Sequence, residues 1–172
     1  MKKALIAAGA VLAAASAANA DYTVNLGTMT LTGGQSVSVT TANLTGTLTG
    51  FTIAFGFDPQ ASTGSWASDA ALVIDGKQWG GFNVVFGGAT SQGVWGFDGS
   101  GSANAGFYSD AKSTTGNYNG SAGANLIFGN GWATSGAVVY SNVTVVLQGV
   151  VPAPGAFALL GLAGFASRRR RA

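Results

Sequence analysis

From Leu48 to Phe57 the chain sets Phe51, Ile53, Phe55 and Phe57 against Thr52, Ala54 and Gly56, and Asp58-Pro59 ends the run. Side chains on a strand point to opposite faces in turn, so this period of two describes a strand with one face in a core and the other lined by small groups. Proline cannot donate to a ladder, which makes Pro59 a stop signal. The same alternation recurs where Tyr22, Val24 and Leu26 oppose Thr23 and Asn25, and where Val37 and Val39 face inward within residues 35–41. Gly33-Gly34 between those two segments predicts a turn, and with it a hairpin of the first two strands. Ala70 to Ile74 is an unbroken apolar run, Asp75-Gly76 a tight-turn signal, and Gln78 to Phe86 the expected return strand. Shorter β-like pieces surround Val94 to Phe97 and Gly106 to Tyr108. Asn125 to Phe128, Trp132 and the alternation Val139, Ser141, Val143, Val145, Leu147 close the pattern. No window outside the two ends carries helical periodicity, and no fixed repeat of roughly 20–50 residues points to a solenoid. The expectation is an all-β chain, a β-sandwich of jelly-roll type, with an N-terminal signal helix and a short C-terminal membrane helix.

The ends read as processing segments and are set apart from the fold. Lys2 and Lys3, an apolar run from Ala4 to Ala15, and Ala18-Asn19-Ala20 before Asp21 have the order of a secretory signal peptide cut after Ala20. The apolar run is shorter than the ~20 residues a membrane-spanning helix needs. At the other end Val151, Pro152, Ala153, Pro154 and Gly155 precede an apolar stretch from Ala156 to Ala166 and then Arg168, Arg169, Arg170 and Arg171. That stretch is also thin for a stable span, which suits transient insertion, with the arginines held on the cytoplasmic side. Prolines 152 and 154 favour extended backbone, the form a protease cleft binds. Three parts follow: residues 1–20 a signal peptide, 21–149 one β-sandwich domain, and 150–172 a C-terminal sorting signal.

The ends also explain the charge. The chain's +2 comes from Lys2, Lys3 and the four arginines; residues 21–149 hold Lys77 and Lys112 against six aspartates, a net −4. With no basic patch in the domain, nucleic acid is not an expected partner. Cysteine is absent, so an exported domain must hold together by burial alone.

Absent residue types bound the chemistry further. Histidine, cysteine and glutamate do not occur, which removes the commonest general base, the thiol nucleophile and the Ser-His-Asp arrangement. Only aspartates remain for acid–base work, and Asp58, Asp69, Asp75, Asp98 and Asp110 sit in contexts where a carboxylate ordinarily stabilises a turn. Asp98-Gly99-Ser100-Gly101-Ser102 is rich in oxygen ligands but lacks the second aspartate and closing glutamate of a calcium loop. No catalytic residue, metal or cofactor is expected. Of the four tryptophans, Trp79, Trp95 and Trp132 are assigned to the core. Trp66, between Gly64-Ser65 and Ala67-Ser68, is assigned to the surface as a residue able to stack on a sugar ring.

Two resemblances bear on function. The C-terminal order Val-Pro-Ala-Pro-Gly-Ala, short apolar helix and Arg168 to Arg171 resembles the PEP-CTERM sorting signal of bacterial proteins processed by exosortase. The family usually has glutamate where this chain has Ala153. The resemblance implies export, sorting by an exosortase-type enzyme, and release to or retention in the cell envelope or exopolysaccharide matrix. In the middle, Leu48 to Ile53, Ser68 to Ile74, Gly131-Trp132 and Ser141 to Leu147 are similar to the jelly-roll P domain that accompanies subtilisin-like proteases, which implies a noncatalytic accessory fold. The leading expectation is a structural or adhesive protein of the surface or extracellular matrix, with exopolysaccharide or other copies of itself as partners. A carbohydrate-binding module using exposed aromatics, and an envelope protein kept on an uncut membrane anchor, are the alternatives.

Overall fold

The computed structural model describes residues 21–60, 64–81, 83–97, 103–132 and 136–154. The expected signal helix with Ala18 and Ala20, the short membrane helix, Gly155 and Arg168 to Arg171 lie outside the described residues, as does the loop 98–102. Among the described residues no helix is long and apolar enough to cross a membrane.

Among the described residues nine strands build two sheets: β1 (Tyr22–Thr32), β2 (Ser36–Thr40), β3 (Leu44–Asp58), β4 (Ala70–Ile74), β5 (Lys77–Gly80), β6 (Thr90–Gly93), β7 (Gly106–Asn119), β8 (Asn125–Asn130) and β9 (Ala137–Pro152). One sheet has the order β1-β9-β3-β7 and the other β2-β8-β4-β5-β6. Every pairing is antiparallel except β5 with β6. The chain is an all-β sandwich whose core lies between the sheets.

Strand β3 is its spine. It pairs with β7 on one side and β9 on the other, and Phe51, Ile53, Phe55 and Phe57 all point into the core. Phe55 touches four rings, with centroids 5.9 Å from Phe97, 6.2 Å from Tyr108, 5.9 Å from Phe128 and 5.7 Å from Tyr140. Phe51 meets Trp79 edge-on at 4.7 Å. Of these contacts, Phe55 with Phe128 and Phe51 with Trp79 cross from one sheet to the other, and edge-on geometry suits the ring quadrupoles. Aromatic pairs therefore set the spacing of the layers as well as filling it.

The unbroken run of β4 is buried on both faces. Leu72 and Ile74 join the main core, while Ala71 and Val73 face a second cluster under Phe86. The cover is folded down by Gln78, itself buried: its Oε1 accepts the Phe86 N–H at 2.8 Å and its Nε2 donates to the Val84 carbonyl at 2.8 Å. Strand β5 accordingly ends at Gly80 rather than running to Phe86. Asp75 and Gly76 both have positive φ and join β4 to β5 as a two-residue hairpin, as their sequence signals.

Four local expectations are corrected. Gly33-Gly34 do form a turn, closed by the Gln35 N–H on the Thr32 carbonyl at 3.0 Å, but β1 and β2 do not pair. Instead β1 joins β9 and β2 joins β8, so the turn carries the chain from one sheet to the other. Val39 is 38% exposed, because β2 is a sheet edge and its outer end is not covered. Val94 to Phe97 are not a strand; β6 precedes them, and the segment crosses towards β7 with the Gly96 N–H on the Asp110 carboxylate. Finally, the inward residues of β9 begin as Val138 and Tyr140 and resume as Val143, Val145 and Leu147. An extra residue at Asn142 shifts the alternation; it has φ 52° and its N–H donates to Thr28 Oγ1 at 3.2 Å. Val139 and Ser141 therefore lie on the outer face.

Candidate functional site

The pairing registers define two ends. At one, Leu44 of β3 faces Pro152 and the Ala153 N–H donates to the Asn43 carbonyl at 2.8 Å. At the other, Asp58 faces Val139, Ala70 faces Asn130, and the turn after β1 meets Asn130 through the Gly34 N–H at 2.8 Å. The 15 residues of β3 separate them by about 45 Å at ordinary strand rise. The chain leaves the fold towards its C-terminus at the first end, and Asp21 precedes a strand that starts nearer that end, with Tyr22 opposite Leu147.

The second end is built by three connections that share hydrogen bonds. Asn130, buried, uses one side-chain oxygen to accept both the Ser65 hydroxyl at 3.3 Å and the Trp132 N–H at 3.1 Å. Asp69, also buried, accepts the Trp66 N–H at 2.6 Å, while its own carbonyl accepts the Gly131 N–H at 2.8 Å. The Asn83 N–H reaches the Gly131 carbonyl at 3.1 Å. Gly131 has no room for a side chain, since a Cβ there would sit 2.4 Å from Gly81 Cα. Trp66 thus stands on a backbone fastened from both sides while its side chain remains 41% exposed.

Two further large apolar side chains are exposed at this end: Val94, 62%, just beyond β6, and Phe107, 71%, at the start of β7. Their neighbours anchor the core. The Trp95 indole N–H donates to the Ala70 carbonyl at 2.6 Å, Trp95 stacks on Phe97, and Phe97 packs on Tyr108 at 5.3 Å. Alternation then turns Val94 and Phe107 outward. The sequence assignment of Trp66 to the surface and of Trp79 and Trp95 to the core matches this geometry; Trp132 is half-buried instead. Val94 and Phe107 were not singled out from sequence, because an outward residue on a core-anchored segment is recognisable only once its neighbours' faces are known.

Asp98 lies outside the described residues; the other candidate aspartates bind backbone. Asp58 accepts the Gln60 N–H at 2.9 Å, Asp75 the Asn125 N–H at 2.8 Å together with the Tyr118 hydroxyl, and Asp110 the Gly96 and Ala111 N–H groups at 2.6 and 2.8 Å. Asp110 also pairs with Lys112 at 3.0 Å. Burial pushes the Asp110 carboxyl up, but the hydrogen bonds from Gly96, Lys112 and Ala111 and the lysine charge outweigh it and hold it below the ordinary value. Among the described residues no three acidic, histidine or cysteine side chains gather in a way that would hold a metal ion. Burial, then the Asp75 carboxylate, push the Tyr118 phenol well above its usual range, and burial does the same for Tyr140.

Val151 and Pro152, expected in a separate tail, are the last residues of β9, opposite Thr45 and Leu44. The described domain runs three residues beyond the expected boundary at 149. No protein-family model, no curated protein and no solved structure matches this chain.

Proposed function

We propose that this is an exported, noncatalytic surface or matrix protein that adheres through the Trp66 end of its sandwich while the opposite end carries the sorting tail. The observation that carries the reading is that Trp66, Val94 and Phe107 are exposed at the end of the strands farthest from Pro152 and Ala153. A domain tethered by its C-terminus would turn this apolar rim away from the membrane. Solvent-exposed apolar side chains on a firmly bonded frame are the anchors that binding surfaces use, and an indole presents a flat face to a sugar ring. The exposed apolar rim, with its flat indole, suits a neutral, hydroxyl-rich partner such as exopolysaccharide.

Within the all-β sandwich, the finer reading is a jelly roll. Strand order β1-β9-β3-β7 over β2-β8-β4-β5, with β6 added at one edge, supports two wrapped Greek keys. That fold hosts lectins among many other functions. Noncatalytic character is supported by the absent histidine, cysteine and glutamate and by the backbone duties of Asp58, Asp69, Asp75 and Asp110. The export and sorting part rests on residues 1–20 and on the PEP-CTERM-like order of residues 151–171.

Binding of the purified protein to exopolysaccharide from its own cells tests the reading. Trp66→Ala is expected to weaken it by about 2 kcal/mol, roughly thirtyfold, the scale of an aromatic anchor. Equal binding by Trp66→Ala and by Phe107→Ser would remove this end from the adhesive surface.

A further inference from the structure

The last residues of β9 belong to both the fold and the expected processing region, and they are built into the sheet. Val150 is fully buried in the core, Thr45 at the centre of the sheet pairs with Val151 on one side and Asn119 on the other, and the Ala153 N–H is bound to Asn43. A bend special to this segment brings it there. Gly149 has φ +82° and a Cβ on it would lie 2.4 Å from the Thr47 carbonyl; Gly46, φ +115°, is equally closed by the Gly149 carbonyl at 2.5 Å. These facing glycines let the backbones approach and turn Val150 inward after Leu147, resetting the register from Gly50 opposite Gln148 to Gly46 opposite Val150.

An endoprotease takes its substrate as a free extended strand, and residues 150–152 are held along β3 on one edge while the Ala153 N–H is bound to Asn43. We propose that the folded sandwich sets the boundary of C-terminal processing: bonds from Gly149 to Ala153 are barred, the enzyme cuts on the C-terminal side of Ala153, and the mature chain keeps all of β9. This rests on the sorting reading above for the existence of such an enzyme, though not for the protection itself.

Limited digestion of the full chain in mild detergent with a protease of broad specificity, read by intact mass, tests the protection. C-terminal trimming should stop at Ala153 or later, and bonds at 149–152 should be cut ~100-fold more slowly than the same bonds in Val150→Asp, where a buried carboxylate frays the strand end. Should that variant unfold altogether, judged by the quenching of its tryptophans, Gly149→Ala serves in its place, since its clash is local to the same bend. Trimming of the native fold to residue 149, 150 or 151 at the variant's rate overturns the proposal. So does a mature protein from the producing cells that ends before Ala153. A native chain that keeps its tail sinks the sorting reading and leaves the digestion to decide the protection.

Discussion

The two ends of the sandwich are made of different material. The Trp66 end is bonded underneath and apolar at its tips: buried Asn130 and Asp69 tie together the connections around Trp66, while Val94 beyond β6 and Phe107 at the start of β7 are exposed beside it. The opposite end is small and polar, with Thr41 to Asn43 and Asn119 to Ala122 closing around the exit of β9 through backbone bonds such as the Leu44 N–H on the Ala122 carbonyl at 2.9 Å. On the proposed reading the first end meets a partner and the second is where the chain leaves the sandwich. Because the same strands run between them, disturbing one end should leave the other intact unless the shared core is touched.

Removing that shared core gives the largest effect. Phe55→Ala deletes a ring in contact with four others and should cost about 3–5 kcal/mol in urea denaturation, loosening both ends together. Gly149→Val should act on the tail end alone. Its positive φ and the Thr47 carbonyl predict a loss of about 2–4 kcal/mol, read as faster amide exchange at Thr45 and Gly46 with unchanged quenching of Trp66. Asn130→Ala is the reverse case. It removes the acceptor shared by the Ser65 hydroxyl and the Trp132 N–H, should cost about 1–3 kcal/mol, and should raise the quenching of Trp66 while amides near Val151 keep their protection. If either variant loosens both ends equally, the two ends are not independent.

The smallest expected effect is electrostatic. The Asp110 carboxyl is held below its ordinary value near 3.8, so its contribution to stability is present above that pH and lost as the pH falls through the lower folded value. Asp110→Asn should flatten this acid limb by lowering the stability at neutral pH slightly, while stability at the acid end, where the wild-type carboxyl is already protonated, stays almost unchanged. The raised phenols act in the other direction: Tyr118 and Tyr140 stabilise the fold below the ordinary value near 10, and that contribution fades only as the pH climbs towards their higher folded values. Their phenolate absorbance should accordingly appear late in an alkaline titration.

Strands β3 and β7 show what a sequence can and cannot reveal. They lie side by side, yet β3 announces itself through Phe51, Ile53, Phe55 and Phe57, whereas only the start of β7, around Gly106 to Tyr108, was recognisable. The remainder, including Thr114, Thr115 and Gly116, is an edge strand with one covered neighbour, so small polar side chains suffice and leave no hydrophobic period to read. Asp110 and Lys112 lie on its less exposed side, and the Lys77 ammonium caps the Thr115 carbonyl at 2.8 Å, which blunts that edge against unwanted pairing. Pairing partners were also hidden: nothing in Gly33-Gly34 distinguishes a hairpin from a crossing between sheets, since both need the same turn. The site was half legible. Isolation among small residues marked Trp66, but the ties that position it come from Asn130 and Asp69, and those depend on strand register.

Intact mass of the protein recovered from the medium and from the cytosol of producing cells tests the central claim most directly. A chain outside the cytoplasm that begins at Asp21 is the predicted result. A full-length chain dissolved in the cytosol, with residues 1–20 and the arginines still attached, would contradict it.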